Sequence, residues 1–495
     1  MMAKYGKLAA KVIFAATIAT LVSCKSKEQS RTTGWDYNNP KNGGFEVADY
    51  REPITGPGLV FIEGGTFTMG RMSDDPMYEW NNIPRRVTIP SFYMDETEVS
   101  NIDYIEYLYW LSRVFGTSYP MVYQKALPDT LVWREKLGYN EPLVETYLRH
   151  PAYKAYPVVG VNWLQASDYC LWRTDRVNEM LLVQEGTLEL DPAQKDENNF
   201  NSEAYLAGQY TGIVNKPKVD LNPNGTGERR VRLEDGLLLP KYRLPTEAEW
   251  EFAAYGLIGN THFERVVERR MYPWNGTILR TDDKKFYGSY VANFKRGRGD
   301  YMGVAGNLND GSDIPQEVGS LWPNDYGLYN MAGNVAEWVM DVYRPLSFED
   351  VSDFAPFRGN VFQTKELDAQ KFLVPKDSLG RIKYKDVTAE DASNRFNYRK
   401  ADNINYLDGD HQSLVGVDWA TPAEAGVNTT KTMYDYGATS LIDDKARVFK
   451  GGSWRDPAFY LSPAARRYLA QDKSTNYIGF RCAMARVGGS SPKGR

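Results

Sequence analysis

Short apolar runs broken by Gly, Pro and Asn set the rhythm of the chain. Leu59-Val60-Phe61-Ile62 reads as a buried strand, turned by Glu63-Gly64-Gly65 into a second at Thr66-Phe67-Thr68-Met69-Gly70. Val87-Thr88-Ile89 and Phe92-Tyr93-Met94 predict two more strands around Pro90. At Ser100 the period changes. Ser100 and Asp103 form a variant of the capping box, and Ile102, Ile105, Leu108 and Leu111 follow at helical spacing. Asn162 with Gln165 opens a second helix, with Ala166, Tyr169, Cys170 and Arg173 on one face. Thr246 with Glu249 opens a third after Arg243-Leu244-Pro245, with Trp250, Ala253 and Ala254 turned inward. Three short capped helices among many short strands indicate an α+β fold with low regular content. No repeating βαβ unit appears, which argues against a doubly wound sheet.

One stretch fits neither period. Gly327-Leu328-Tyr329-Asn330-Met331-Ala332-Gly333-Asn334-Val335-Ala336-Glu337-Trp338 places Gly-Asn at its centre, where a helix would lose about 1 kcal/mol at the glycine alone. Its alternation is too irregular for a half-buried strand. The pattern predicts a tightly wound loop anchored by Leu328, Tyr329 and Trp338, with carbonyl and side-chain oxygens converging. Oxygen ligands suit a hard cation such as calcium, and an Asn/Gly turn satisfied by its own backbone is the competing reading.

Length and charge narrow the class. A chain of 495 residues suggests about three domains on length alone. Taking Lys4, Lys7 and Lys11 out with residues 1–23 leaves 56 basic residues against 64 acidic ones, which argues against a nucleic-acid partner. The 34 Tyr and 12 Trp fit a loop-rich fold or broad contact surfaces. The start reads as an export signal: a basic n-region, an apolar run from Val12 to Val22 too short to span a bilayer, then Leu21-Val22-Ser23-Cys24. That last phrase has the form of a bacterial lipobox, with Cys24 the lipidated residue. Residues 1–23 are thus expected to be a lipoprotein signal peptide and 24–58 a polar tether, in which Trp35 and Tyr37 could lie against a surface. No later apolar run approaches membrane-spanning length.

The ordered series of motifs resembles the formylglycine-generating enzyme (sulfatase-modifying factor) family. It comprises Gly64-Gly65-x-Phe67-x-Met69-Gly70, Glu98-Val99-Ser100-Asn101, Pro157-Val158-Val159-x-Val161-Asn162-Trp163, Arg243 to Glu251, Tyr272-Pro273-Trp274, Gly327 to Trp338, Gly451-Gly452-Ser453-Trp454 and Gly479-Phe480-Arg481. The resemblance implies one C-type-lectin-like α+β domain, residues 59–486, in place of three domains, followed by a tail at 487–495. Two long insertions depart from it, at about 178–239 and 346–445; long ordered loops on a rigid scaffold are usually interaction elements.

The family oxidises a cysteine in its substrate using copper held by two cysteines just after the Gly-Gly-Ser-aromatic motif. Aligned on Gly451–Trp454, those positions are Asp456 and Leu461. Soft Cu(I) requires thiolates, so the expectation is no copper and no oxidase activity. A structural ion-pair network is the expected role of Asp456 and its neighbours Arg455, Arg466 and Arg467. The resemblance further implies a structural disulfide between Cys170 and Cys482, in keeping with an oxidising compartment. It also implies two calcium sites: Asn330, Gly333, Val335 and Glu337 in one, Asn293, Phe294, Asp310 and Ser312 in the other.

Local phrases such as Thr33-Gly34-Trp35, Ala126 to Trp133 and Leu148 to Tyr153 resemble the lipoproteins of the Bacteroidetes gliding-motility and type IX secretion machinery. That resemblance implies a non-catalytic, lipid-anchored protein of the outer membrane, facing the periplasm, which scaffolds other machine components, among them the ring lipoprotein GldK/PorK. Two alternatives remain open from the sequence: a periplasmic enzyme with altered chemistry on the same fold, or a calcium-dependent glycan-binding protein.

Overall fold

The computed structural model of the chain describes residues 28–49, 55–71, 82–136, 138–213, 215–266, 270–274, 276–296, 314–343, 357, 359, 361, 363–387 and 445–488. In chain order the strands are β1 (Leu59–Ile62), β2 (Gly65–Met69), β3 (Arg85–Ile89), β4 (Phe92–Asp95), β5 (Lys218–Val219), β6 (Glu228–Arg229), β7 (Tyr242–Arg243) and β8 (Ala336–Val342). They continue with β9 (Gln363–Lys365), β10 (Tyr384–Asp386), β11 (Ala446–Lys450), β12 (Arg467–Ala470), β13 (Ile478–Gly479) and β14 (Ala483–Ala485). One four-stranded sheet runs β1-β4-β14-β7 and the other β12-β11-β8-β13, while β2 and β3 pair separately. The first of these joins strands from opposite ends of the sequence, whereas the second is built from strands that all follow residue 335. The expected α+β class, with short strands and much irregular chain, is what the structure has.

Three capped helices pack on these sheets: α1 (Asn101–Phe115), α2 (Trp163–Gln184) and α3 (Glu247–Tyr255). All three capping boxes form, at Ser100/Asp103, Asn162/Gln165 and Thr246/Glu249, each satisfying orphan N–H groups at a helix start. α1 differs from the expectation in its face. Ile102 is 51% exposed, whereas Tyr104, Tyr107, Leu108, Leu111, Val114 and Phe115 are buried. The tyrosines rotate the buried stripe, with Tyr104 stacked on Tyr169 of α2 at 5.7 Å. α2 runs to 22 residues, longer than the short helix expected, because it continues into the first insertion.

The stretch from Gly327 to Trp338 also differs in part. Its last three residues open β8, which is buried on both faces and so shows no alternation: Trp338 joins the core around α1 and α2, and Val339 the core around α3, β2 and β3. The preceding residues form the irregular loop.

The first insertion has an apolar core of its own, including Leu182, Leu188, Phe200, Tyr205, Tyr210 and Val231. The described part of the second, the β9–β10 hairpin and its connection, lies against it. Asn199 Nδ2 donates to Leu379 O at 2.7 Å, the Lys376 N–H to Gln209 Oε1 at 2.7 Å, and the Tyr384 hydroxyl to Glu203 Oε2 at 2.7 Å. Residues 28–49 are clipped to the same insertion. Glu46 accepts from Leu221 N–H at 2.8 Å and from Arg229 Nε at 2.8 Å, and Arg229 in turn binds Asp235 at 2.7 and 2.8 Å. Tyr37 meets Phe45 within the segment, and Trp35 is exposed. Among the described residues no helix is long and apolar enough to cross a membrane. Cys24 and most of the second insertion lie outside the described residues.

Candidate functional site

The irregular loop before β8 ties two other segments together through its backbone. Gly333 N–H donates to Gly451 O at 2.8 Å, Asn334 N–H to Asn293 O at 2.8 Å, and Trp454 N–H to Asn334 O at 2.9 Å. The close approach dictates the residue types. Gly333 has φ 82°, and a Cβ there would fall 2.4 Å from Asn293 O. Asn330 and Asn334 occupy the left-handed region as well, at φ 55° and 61°, a conformation that asparagine tolerates better than most residues.

Both asparagine side chains turn inward to one carboxylate. Asn330 Nδ2 donates to Glu98 Oε2 at 2.9 Å and Asn334 Nδ2 to Glu98 Oε1 at 3.0 Å. Burial pushes the Glu98 carboxyl up to about 8; Arg481 pulls it down, Glu337 raises it further, and the two amides lower it. In the sequence Glu98 stands out only as part of the Glu98-Val99-Ser100-Asn101 motif. Its partners lie more than 230 residues away, so no local signal exposes it.

The candidate calcium ligands are placed as follows. Asn330 Oδ1 and Asn293 Oδ1 are buried and accept no hydrogen bond, so each is an amide oxygen available to a cation. Asn330, Gly333, Val335 and Glu337 run through one continuous buried segment. Glu337, however, is already matched: Arg481 Nη2 and Nε donate to its two oxygens at 2.7 Å each, and Trp250 Nε1 adds a bond at 2.8 Å. Its charge is neutralised by Arg481 without any metal. In the second set Asn293 is buried and Phe294 packs with Tyr272 and Leu461, whereas Asp310 and Ser312 lie outside the described residues. The donor chemistry at Asn330 and Asn293 thus fits a hard cation, and that at Glu337 is shared with a guanidinium.

Beside this loop sits the segment Gly451–Leu461. The Ser453 hydroxyl donates to Asp456 Oδ2 at 2.5 Å, and Arg467 grips both Asp456 oxygens at 2.6 and 2.7 Å. The Arg467 guanidinium lies over the Tyr460 and Phe449 rings, 4.2 and 4.7 Å from their centroids. Leu461 is fully buried. Trp454 stacks on Trp133 at 6.2 Å, and Arg455 pairs with Glu135 at 2.8 Å. The expected ion-pair network is present, built on Arg467 and Glu135; Arg466 belongs to a different one, with Glu247. Elsewhere Cys170 and Cys482 are brought together as two buried thiols, their Sγ atoms 3.4 Å apart. Burial, then the neighbouring Cys170, pushes the Cys482 thiol up, so neither is a reactive surface nucleophile.

Residues 45–486 match the family model for the sulfatase-modifying factor enzyme 1-like domain. The chain belongs to this family. A formylglycine-generating enzyme from Thermomonospora curvata is 36% identical over 309 residues, covering 62% of this chain and 76% of that protein. The mouse formylglycine-generating enzyme is 27% identical over 294 residues, which is 58% of this chain and 59% of its own length. The mouse inactive C-alpha-formylglycine-generating enzyme 2 is 24% identical over 307 residues, covering 58% of this chain and 70% of that protein. Among solved structures, PvdO from Pseudomonas aeruginosa is 16% identical with a TM-score of 0.39, covering 86% of this chain and 94% of that one. The chain thus spans little more than half the length of the mouse enzyme. Its family includes proteins named as active and as inactive enzymes.

Glu98 supplies a test of the buried cluster. The native state holds a proton that the unfolded chain releases near the ordinary value of 4.5. This contribution to stability is therefore full below about pH 4.5 and is lost as pH rises towards 8. Urea unfolding at a series of pH values should show wild type losing stability relative to Glu98→Gln from about pH 5 to 8, by a few kcal/mol in total at roughly 1.4 kcal/mol per pH unit, and levelling off above. Parallel pH profiles for the two proteins would show that Glu98 does not titrate in that range.

Proposed function

We propose that this chain is a non-catalytic lipoprotein of the GldJ type. Anchored in the outer membrane through Cys24 and facing the periplasm, it supports gliding motility, type IX secretion or both by holding other components of that machinery, the ring lipoprotein GldK/PorK among them. The observation that carries the reading is chemical: Asp456 and Leu461 stand where the family's copper-binding cysteines align, and Asp456 is held by Arg467 and Ser453. A carboxylate tied to a guanidinium offers Cu(I) no soft ligand. The inactive relative in mouse supports the idea that this scaffold can persist without the reaction. The two insertions support a binding role, because the described part of the second packs against the first.

Calcium and the disulfide belong to this reading as structural supports. One calcium ion held through Asn330 Oδ1 and a second held through Asn293 Oδ1 would give each of these buried amide oxygens the partner it lacks among the described residues. Oxidation of Cys170 and Cys482 would join α2 to the last strands of the domain, and chain-entropy reasoning puts the gain from so long a loop on the order of 4–5 kcal/mol.

Crosslinking in native membranes followed by pull-down should recover ring lipoproteins with the wild-type chain and with Arg455→Ala, and lose them when residues 186–238 are replaced by a short flexible link. Equal loss in both variants, or a solitary wild-type chain, would count against a scaffold role. Chelation of calcium should lower the unfolding temperature of the purified protein, by an amount corresponding to about 2.7 kcal/mol at one hundred times the dissociation constant. Asn330→Ala should diminish that response; a wild type insensitive to chelator refutes the calcium assignment. Thiol titration of protein purified without reductant and then unfolded should find Cys170 and Cys482 blocked. Two free thiols at those positions would rule the disulfide out.

A further inference from the structure

A cavity of about 540 Å³ opens where α1 and α2 meet the two insertions, away from the segments that carry Asn330 and Asp456. Its volume lies within the range of about 300–1,000 Å³ common to small-molecule sites. Much of its wall is aromatic and aliphatic: Trp110 and Phe115 from α1, Trp172 from α2, Leu206 and Leu238 from the first insertion, Ile382 from the second.

The polar groups in the lining fall into two kinds. Most are matched to each other and hold the insertions in place. Asp175 accepts from Ser202 N–H at 2.8 Å and from Asn201 Nδ2 at 3.0 Å. Asn178 donates to Leu239 O at 3.3 Å and accepts from Leu239 N–H at 2.9 Å. Glu203 takes the Tyr384 hydroxyl and the Lys241 ammonium. What is left over consists of donors: the buried indole N–H groups of Trp110 and Trp172, without an acceptor among the described residues, and two cations. The half-buried Lys365 ammonium has no hydrogen-bonded or ion-paired partner among the described residues, and it feels the field of Glu203. Arg381 reaches Asp168 only at 4.0 Å, with its side chain 46% exposed.

The occupant this lining fits has an apolar body and a single anionic head. A ligand that must donate would find few free acceptors, since the amides and carboxylates already satisfy each other, while the unmatched groups, the Trp110 and Trp172 N–H and the two cations, all suit an acceptor-rich anionic head. A long acidic segment would bring more negative charge than Lys365 and Arg381 could offset beside Asp168 and Glu203. We propose that this cavity binds a single-chain anionic amphiphile, whose aliphatic body lies against Trp110, Trp172 and Leu238 and whose carboxylate or phosphate meets Lys365 and Arg381. The site is independent of the scaffold reading, and it belongs to the insertions rather than to the family domain alone. A carboxylate head would come from a free fatty acid and a phosphate head from a lysophospholipid.

Because Trp110 and Trp172 line the cavity, tryptophan fluorescence and calorimetry on the full chain can follow occupancy. Titrations below the critical micelle concentration would use oleate, a lysophosphatidylglycerol and the neutral dodecyl maltoside. The expected result is saturable one-to-one binding of at least one anionic amphiphile, at least tenfold tighter than the maltoside. The arm that binds identifies the head. Lys365→Glu, a change on a short hairpin, should weaken that binding about tenfold while leaving thermal unfolding unchanged, and Lys365→Met should do so less. Leu238→Trp, which fills the wall, should weaken anionic and neutral ligands together. Absence of saturable binding overturns the proposal, as does equal affinity for the maltoside or indifference to Lys365→Glu. An unfolding transition shifted by Lys365→Glu moves the decision to Arg381→Gln, where unchanged affinity overturns it.

Discussion

The fold depends on a fully buried ion pair between Arg481 and Glu337. Besides its two bonds to the carboxylate, the guanidinium donates to Asp95 O at 3.1 Å, Glu96 O at 3.3 Å and Tyr329 O at 2.7 Å. One side chain thereby joins the end of β4, the irregular loop, the start of β8 and the chain between β13 and β14. Removing either charge alone would strand the other in the interior, at a cost of about 3–5 kcal/mol. Trp250 extends the same knot to α3 through its bond to Glu337. A second matched cluster lies nearby, with Lys450 between Glu247 and Glu251 and Arg466 on Glu247.

Against these neutralised groups Glu98 stands out. It is as deeply buried as Glu337 and faces the same loop, yet its immediate partners are two neutral amides. Two buried carboxylates thus face the loop, one paired directly with a guanidinium and the other held by amides. Asp456 resembles the first kind. Its ties to Arg467 and Ser453 make it part of the framework, where an unengaged acid in a cleft would have invited a chemical role.

What the sequence revealed follows from how far each interaction reaches. The three capping boxes span three residues apiece, so Ser100/Asp103, Asn162/Gln165 and Thr246/Glu249 could be read directly. The strands β1 to β4 were legible from local runs. The inward face of α1 was legible at Leu108 and Leu111 and differs at Ile102, because a tyrosine counts as ambivalent on hydropathy and Tyr104 and Tyr107 are buried against Tyr169, one face-on and one edge-on. β8 was missed at its start because burial on both faces erases the alternation that marks a strand. Glu98, the Arg481–Glu337 pair and the junction of the two insertions all connect residues over a hundred positions apart. No periodicity reports such contacts.

The clip at Glu46 bears on how the molecule would sit on a bilayer. The segment 28–49 is latched to the first insertion through Arg229. With acyl chains on Cys24, the four intervening steps would pay out no more than about 14 Å of leash. So short a leash would leave little freedom to tumble, and the side bearing the first insertion would be berthed towards the lipid.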